Sequence, residues 1–436
     1  MTRSQTSVRQ SPQKRRSNGP RRPGIWRTLG PGLITGAADD DPSGIATYAQ
    51  AGAQYGFALA WTLVLAYPLM VAIQAICARI GRTTGLGIAG NLREHYPPSV
   101  LSAIVGLLFA ANVLNIGADL GAMTESLRLL VPVPVWLGVI LFGLITASGQ
   151  IFLDHTRYVA ILKWLTLSLL AYFGALASVR IPWLDLVRGL VWPGLHFDQG
   201  FWLIVVAIFG TTISPYLFFW QAGQEVEDTK SITPRQPLLR RPGQATRAFA
   251  RIRLDTLVGM GFSNLVALAI LITSAVTLES GRHVAIETAA QAAVALRPIA
   301  GGFASLLFAL GIIGTGLLSV PVLAGSAAYA LGEARRWPVG LSRAPLRAKS
   351  FYTSIALAIM LGALVNLLRI GPMKALVWAA LLNGIVSVPV MAMVMLLGTR
   401  ADVMGRFCIS RRLRLTGWAA TTLMAVASSV FLYSSL

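Results

Sequence analysis

The sequence predicts an all-helical membrane protein with about eleven spans, and three observations support this fold class. Hydrophobic residues make up 55% of the chain and charged residues only 12%, whereas roughly one quarter of the residues in soluble domains are charged. Apolar stretches of about 20 residues, which is the length that crosses a bilayer, recur from Gly30 to the C-terminus. Basic residues collect in alternate loops between these stretches.

Each predicted span is an apolar stretch bounded by polar or turn-forming residues. In chain order the spans are 28–55, 57–80, 100–123, 133–153, 158–179, 200–222, 254–278, 300–331, 351–369, 373–398 and 415–434. Residues 1–27 have no apolar run and are rich in Ser, Gln, Arg and Pro, which predicts a disordered basic cytoplasmic tail. This tail also lacks the apolar region of a cleaved signal peptide. The transmembrane domain is therefore expected to cover residues 28–436.

The net charge of +20 is distributed in a way that predicts topology rather than nucleic-acid binding. Clusters of Lys and Arg precede span one and follow spans two, four, six, eight and ten, which share one side if the spans alternate. Loops on the other side mix both signs, as with Glu125 and Arg128. By the positive-inside rule the N-terminus is cytoplasmic and the C-terminus outside, in a multi-pass plasma or inner membrane protein. The expected partner of the basic loops is the lipid bilayer.

Two predicted spans contain residues that interrupt a helix. Proline lacks a backbone N–H and glycine is flexible, so an unwound stretch is expected at each interruption. Broken helices five spans apart are typical of inverted-repeat transporters with a binding site near the membrane midplane. The repeats would be 28–179 and 200–398, and the helix at 415–434 would be an addition. An ordinary proline kink is the alternative explanation. The interrupting residues are Asp39-Asp40-Asp41-Pro42-Ser43-Gly44 in span one and Gly210-Thr211-Thr212-Ile213-Ser214-Pro215 in span six.

The carboxylates of span one need compensation at membrane depth. An uncompensated Asp at the centre of a membrane helix costs about 2.5–3.5 kcal/mol on insertion scales. Asp41 lies beside the break and is the first choice as a cation ligand. Asp39 and Asp40 are expected nearer the membrane edge or a water-filled vestibule, where they would raise the local concentration of cations along the ion path.

At these positions the sequence resembles the Nramp (natural resistance-associated macrophage protein) family of metal-ion transporters. The family pattern in the first helix is Gly-Pro-Gly, then eight residues, then Asp-Pro-Gly-Asn. Here Gly30-Pro31-Gly32 is followed at the same spacing by Asp41-Pro42-Ser43-Gly44. Further likeness extends over most of the chain from Gly30 and includes Gln74 to Gly81, Asn91-Leu92-Arg93, Asp119-Leu120, Ser263-Asn264 and Gly314 to Glu333.

The resemblance implies a site for a divalent metal ion, which would be a transported substrate rather than a cofactor. Asp41 matches the family's metal-binding carboxylate, and the carbonyl groups of Ala38 and Thr211 match two further site positions. Gly44 replaces an asparagine ligand, and Ser214 replaces a methionine whose soft sulfur favours transition metals. The result is expected to be a roomier, all-oxygen site that suits a partly hydrated hard ion such as Mg²⁺, or Mn²⁺.

The resemblance also implies weak proton coupling. The family has an Asp and a Glu in the third helix, where this chain has Asp119 and Ala122, and two histidines in the sixth, where it has Tyr216 and Gln221. Histidine titrates near neutral pH, so its loss removes the natural proton carrier. Asp119 remains as a candidate for the proton or ion path, with a buried structural carboxylate as the alternative. The aromatic residues that begin with Tyr216 are expected to pack and exclude water.

Other polar residues have plainer explanations. Asn264 in span seven is a second candidate for the ion path, although interhelical hydrogen bonding explains it more simply. The acidic residues at the end of span six are expected to line a solvated cytoplasmic mouth. The following loop, roughly 223–251, is basic and is expected to have no fold of its own. These acidic residues are Glu225, Glu227 and Asp228.

Three function classes follow from these features. The first is transport of divalent metal cations by alternating access. The second is an organic-solute transporter on the same fold, which three successive aspartates near the site disfavour. The third is a membrane sensor that no longer transports. An enzyme is not expected, because no nucleophile–base pair or phosphate-binding loop is present. The oligomeric state is left open, with a monomer as one option.

Overall fold

A computed structural model describes residues 35–36, 38–152, 170–194, 198–231, 235–278, 286–368 and 370–435. The predicted tail, Gly30-Pro31-Gly32 and most of the fifth predicted span lie outside this part of the chain. The described residues form helices joined by turns and short connections, and none of them is in a β-strand. Fourteen helices of eight or more residues are labelled α1 to α14 in chain order.

The helices have the following bounds. They are α1 Pro42–Tyr55, α2 Ala60–Thr84, α3 Ile88–His95, α4 Pro98–Arg128, α5 Val135–Phe152, α6 Leu170–Ser178, α7 Trp183–Val191, α8 Gln199–Thr212, α9 Pro215–Ser231, α10 Ala245–Leu278, α11 Ala304–Ala334, α12 Lys349–Val365, α13 Pro372–Thr399 and α14 Arg411–Ser434. Shorter α-helical turns occur at Ala289–Ala293, Arg297–Ala300 and Ala401–Met404.

The predicted fold class is confirmed. Nine helical stretches among the described residues are long and apolar enough to cross a membrane. The first and fifth predicted spans, which lie only partly in the described residues, are represented by α1 and α6. Spans two to four and seven to eleven correspond to α2, α4, α5 and α10 to α14, and span six corresponds to the pair α8 and α9. Each span is therefore matched by a helix.

The interruption of span six is a full break rather than a kink. Helix α8 ends at Thr212, and Ile213 has φ −120° and ψ 53°, which is outside the helical region. Helix α9 begins at Pro215, where the missing N–H costs no hydrogen bond because the first turn of a helix has no internal acceptor for it. The same chemistry starts α1 at Pro42, after the extended residue Asp41. The two breaks were expected from proline and its neighbours, and both are present.

Small residues let the helices approach closely. A Cβ atom at Gly52 of α1 would lie 2.3 Å from the carbonyl oxygen of Leu271 in α10. A Cβ at Gly210 of α8 would lie 2.1 Å from the Ala380 carbonyl oxygen of α13. Such backbone contacts are typical of membrane helices, where dispersion replaces the hydrophobic effect as the packing force. They press α1 and α8 against the helices around the two breaks.

The region after span six differs from the prediction of an unfolded loop over 223–251. Helix α9 continues to Ser231 and α10 begins at Ala245. The connection between them is partly held by hydrogen bonds, because the Arg82 guanidinium donates to the Gln236 carbonyl oxygen at 3.0 Å and to Gln244 Oε1 at 2.8 Å. The charged helix ends stay helical because both pack on α2 and the Glu225–Arg251 ion pair joins them.

Candidate functional site

Asp41 is held by the start of α1. Its Oδ1 accepts hydrogen bonds from Ser43 Oγ at 2.6 Å and from the Gly44 N–H at 2.8 Å, which is the geometry of a helix N-cap. The carboxylate lies at the positive end of the helix dipole, which favours its charge. Asp41 is only 1% exposed. One carboxylate oxygen is thus committed to the helix, and Oδ2 is left for other contacts.

Tyr216 connects the two breaks. Its hydroxyl donates a hydrogen bond to the Ala38 carbonyl oxygen at 3.0 Å and lies 3.4 Å from Asp41 Oδ2. The side chain is fully buried in the first turn of α9. The sequence prediction assigned Tyr216 to packing and missed this contact. A polar-tipped aromatic residue next to a helix break was the signal that could have found it.

Ser214 and Thr211 line the other side of the break in span six. The Ser214 hydroxyl donates to the carbonyl oxygens of Gly210 at 2.7 Å and Thr211 at 2.8 Å. These carbonyl groups lie in the last turn of α8 and would otherwise lack partners. Thr211 Oγ1 is buried and interacts with the Tyr48 side chain. The Ser214 hydroxyl is therefore committed to the helix end, whereas the Thr211 hydroxyl faces Tyr48.

Gly44 lies directly against Thr211. A Cβ atom at Gly44 would be 3.1 Å from Thr211 Oγ1 and 3.2 Å from Tyr48 Cε2. The room that the sequence led us to expect beside Gly44 is therefore taken up by these two side chains. Of the predicted site residues, the structure brings Asp41, Ala38, Gly44 and Thr211 together, and Ser214 joins them through the Thr211 carbonyl.

Asp39 and Asp40 are placed differently from the prediction of a solvated vestibule. Asp39 is 0% and Asp40 1% exposed. The Ser263 hydroxyl of α10 lies 2.6 Å from Asp39 Oδ2 and 3.1 Å from Asp40 Oδ1. The pair is buried because α1 packs along α10, so its carboxylates face a helix and not water. Asn264, the next residue of α10, is half-buried, and its Oδ1 has no hydrogen-bond partner.

Asp119 lies on α4, where that helix packs on α11. Its Oδ2 accepts a hydrogen bond from Ser319 Oγ at 2.7 Å, and its Oδ1 has no hydrogen-bond partner. The side chain is fully buried. Asn115, one helical turn earlier, is also fully buried, and neither of its side-chain polar atoms has a partner. Asp119, with one carboxylate oxygen lacking a hydrogen-bond donor, remains a candidate for the ion or proton path.

The acidic residues at the end of α9 do not line a solvated mouth, which corrects the prediction. Glu225 is 0% exposed and pairs with Arg251 of α10. Glu227 accepts hydrogen bonds from the Tyr329 hydroxyl and the Leu341 N–H. Asp228 pairs with Arg235 at 2.7 Å. Each of these carboxylates has a partner on a neighbouring helix or loop, although Glu225 Oε1 accepts no hydrogen bond.

The site offers oxygen atoms to a cation. No group of three or more His, Cys, Asp or Glu side chains within the described ranges could hold a metal ion. A cation between the breaks would instead meet one carboxylate, backbone carbonyl groups and hydroxyls. Hard divalent ions accept such a mixture and often keep several waters.

Comparison with known proteins assigns the family. The family model described as natural resistance-associated macrophage protein-like matches residues 32–434. The chain belongs to the Nramp family. The Nramp match covers both breaks and nearly all of the helices. Members of this family are transporters, so the chain is a membrane transporter and not an enzyme.

Two kinds of relatives agree with the Nramp assignment. The divalent metal cation transporter MntH of Verminephrobacter eiseniae (strain EF01-2) is 28% identical over 362 residues, which are 80% of each chain. The solved manganese transporter of Eremococcus coleocola in complex with an aromatic bis-isothiourea substituted compound superimposes with a TM-score of 0.73. It is 16% identical, and the match covers 95% of this chain and 88% of that one. A solved mutant of the same manganese transporter gives a TM-score of 0.72 at 17% identity with the same coverage.

Proposed function

We propose that this Nramp-family chain transports divalent metal cations by alternating access, with the ion bound between the breaks of span one and span six. The names of its relatives support the class of substrate, because one is a divalent metal cation transporter and another a manganese transporter. The single observation that carries the proposal is the buried juxtaposition of the Asp41 carboxylate with the Ala38 carbonyl group, across from the first turn of α9.

The preferred ions are hard, with Mg²⁺ and Mn²⁺ as the leading candidates. The described groups around Asp41 that contact one another are oxygen donors, and Ser214 contributes no sulfur where the family has a methionine. Hard cations select oxygen ligands, whereas thioether sulfur favours softer transition metals. The site therefore favours Mg²⁺ more than a typical Nramp site would.

Proton coupling is weak or absent in this proposal. Tyr216 and Gln221 occupy the positions of the family histidines, and neither a phenol nor an amide titrates near neutral pH. Gln221 is instead held as an acceptor, with the Thr35 hydroxyl donating to its Oε1 at 2.6 Å. An inward membrane potential contributes about 2.3 kcal/mol per charge per 100 mV and would drive uptake of a divalent cation without protons.

The test is uptake of Mg²⁺, Mn²⁺ and Ca²⁺ into proteoliposomes at fixed membrane potential by wild type, Asp41→Asn and Asp198→Asn. Asp41 and Asp198 are both N-caps, with the Asp198 carboxylate accepting from the Phe201 N–H at 2.9 Å. Asparagine caps helices about as well as aspartate, so both variants keep the cap and lose one negative charge. Only the charge of Asp41 lies at the proposed site.

We expect Asp41→Asn to abolish uptake and Asp198→Asn to leave it within twofold of wild type. A pH-sensitive dye inside the same vesicles should report little proton entry during Mg²⁺ uptake. Equal uptake by the two variants would refute the site, and proton entry in step with the metal would refute uncoupled transport. Wild type that carries none of the three ions would refute the proposed function.

A further inference from the structure

The Tyr216 hydroxyl lies where a bound cation would have to make its contacts. It is within hydrogen-bond distance of two oxygens of the proposed site, the Ala38 carbonyl oxygen and Asp41 Oδ2. These residues are at least 175 positions apart from Tyr216 in the chain, so helix packing alone creates the cluster. Ala38, Asp41 and Tyr216 are each no more than 1% exposed.

One proton cannot satisfy this cluster. A phenol has a single O–H, and here it faces two acceptors. The shorter contact, 3.0 Å, goes to the Ala38 carbonyl oxygen, and the contact to Asp41 Oδ2 is longer at 3.4 Å. Asp41 Oδ1 already accepts two hydrogen bonds, but this phenol gives Oδ2 only the longer contact. The cluster holds more acceptor capacity than the phenol can satisfy, and a cation would supply what is missing.

The two distances from the Tyr216 hydroxyl oxygen are compatible with neighbouring ligands of a hexacoordinate hard cation. Neighbouring ligands of an octahedral ion are separated by about 1.4 times the metal–oxygen distance, or roughly 3.0 Å for Mg²⁺ and roughly 3.4 Å for Ca²⁺. The distances from Tyr216 Oη to the Ala38 oxygen and to Asp41 Oδ2 are 3.0 and 3.4 Å. We propose that the Tyr216 hydroxyl oxygen is a direct ligand of the transported cation, alongside the Ala38 carbonyl and Asp41 Oδ2. This inference rests on the proposed function.

The chemistry of this ligand makes Tyr216 a specificity-determining residue. When the ion binds, the phenol proton turns away from the Ala38 carbonyl, and the oxygen lone pair faces the metal. The phenol adds a neutral oxygen, so the protein contributes a single negative charge and the ion keeps part of its water shell. An imidazole at this position would add nitrogen, which suits Mn²⁺ and later transition metals better than Mg²⁺.

Two substitutions test the oxygen without removing the ring. Tyr216→Phe deletes only the hydroxyl, and Tyr216→His replaces an oxygen donor with a nitrogen donor. Tyr172→Phe is the matched control, because Tyr172 is also buried (3% exposed) but lies on α6. Binding of Mg²⁺ and Mn²⁺ is measured by calorimetry on purified protein, and KM values are measured by proteoliposome uptake. Thermal unfolding in detergent confirms that each variant is folded.

We expect Tyr216→Phe to weaken Mg²⁺ binding and raise its KM about tenfold, with a smaller effect on Mn²⁺, because Mg²⁺ demands near-ideal oxygen coordination. Tyr216→His should return the affinity and KM for Mn²⁺ towards their wild-type values, while Mg²⁺ binding stays weak. Tyr172→Phe should leave the binding and the KM of both ions unchanged.

If Tyr216 only positions the Ala38 carbonyl through its hydrogen bond, Tyr216→Phe would weaken the binding of both ions by the same factor. Tyr216→His would then also affect Mg²⁺ and Mn²⁺ equally. That result, or a Tyr216→Phe variant indistinguishable from wild type, would overturn the proposal. Because both outcomes need a wild type that binds and transports the ions, they are distinct from failure of the proposed function. If Tyr216→Phe alone fails to fold, the ratio of Mg²⁺ to Mn²⁺ binding by Tyr216→His decides the question.

Discussion

At the scale of single residues, the two oxygens of Asp41 make different contacts. Oδ1 caps α1 through Ser43 and Gly44, and Oδ2 faces Tyr216. This division orients the carboxylate before any ion arrives, and a preorganised ligand loses little entropy on binding. A neutral asparagine can cap the same helix, so the cap alone does not call for a charge. In the proposed site, the charge of Asp41 would act on the cation through Oδ2.

Gly44→Ala tests how tightly the site is packed. The new Cβ would lie 3.1 Å from Thr211 Oγ1 and 3.2 Å from Tyr48 Cε2, so both groups must shift by a few tenths of an ångström. We expect metal uptake to fall severalfold while thermal stability holds, because alanine is about 1 kcal/mol better than glycine inside a helix. The matched control is Gly106→Ala on α4, where a Cβ meets nothing within 4 Å. Equal uptake by the two variants would mean that the site tolerates the shift.

At the scale of helices, buried ion pairs tie α9 to α10. The Glu225 side chain is 0% and that of Arg251 15% exposed, and Arg251 also lies 3.9 Å from Asp228. A buried pair is not by itself stabilising, because desolvation offsets the attraction, but breaking it leaves one buried charge without a partner. The pair therefore makes the relative position of α9 and α10 specific. This matters because α9 carries Tyr216 and α10 carries Ser263.

Breaking the pair should destabilise the helix arrangement. We expect Arg251→Met to lower the stability by about 3–5 kcal/mol, because Glu225 would be left buried and unpaired. The double variant Glu225→Gln/Arg251→Met should recover much of this loss. Thermal unfolding in detergent measures the stability of both variants.

Asp402→Asn provides the comparison for an exposed ion pair. Asp402 and Arg400 are 54% and 37% exposed, and such surface pairs contribute little. We expect no measurable change in the unfolding temperature. A Glu225→Gln/Arg251→Met double variant that is no more stable than Arg251→Met would show that the two side chains do not stabilise each other.

At the scale of the whole molecule, the distribution of charge predicts how the chain is oriented across the membrane. The basic loops share one side only if the helices alternate in direction. The nine spanning stretches among the described residues, with α1 and α6, match the eleven spans on which that prediction rests. By the positive-inside rule, this arrangement predicts a cytoplasmic N-terminus and an outside C-terminus.

The two cysteines offer a direct test of orientation. Cys77 is buried, and Cys408 is partly exposed in the connection before α14, on the predicted cytoplasmic side. In right-side-out vesicles we expect a membrane-impermeant maleimide to label the wild type only after permeabilisation. A Ser435→Cys variant, with Cys408 replaced by Ser, should be labelled without permeabilisation, because residue 435 follows α14 at the opposite end of that helix. The reverse pattern would invert the predicted topology.

The sequence by itself determined the class of fold, the order of the helices and the two breaks. These features depend on local chemistry: the length of an apolar stretch, and the missing N–H of Pro42 and Pro215. The sequence also predicts Asp41 as a cation ligand, because a carboxylate beside a break at membrane depth needs a partner.

Only the tertiary structure decided which groups meet across the breaks. The contact of Tyr216 with Ala38 spans 178 positions, and that of Ser263 with Asp39 spans 224. Neither is encoded in local spacing, because a one-turn shift of α9 or α10 would point the same residue at a different neighbour. Burial of Glu225 likewise depends on Arg251 from another helix. Helix packing therefore decides which oxygens can reach one ion, while the sequence decides which oxygens are available.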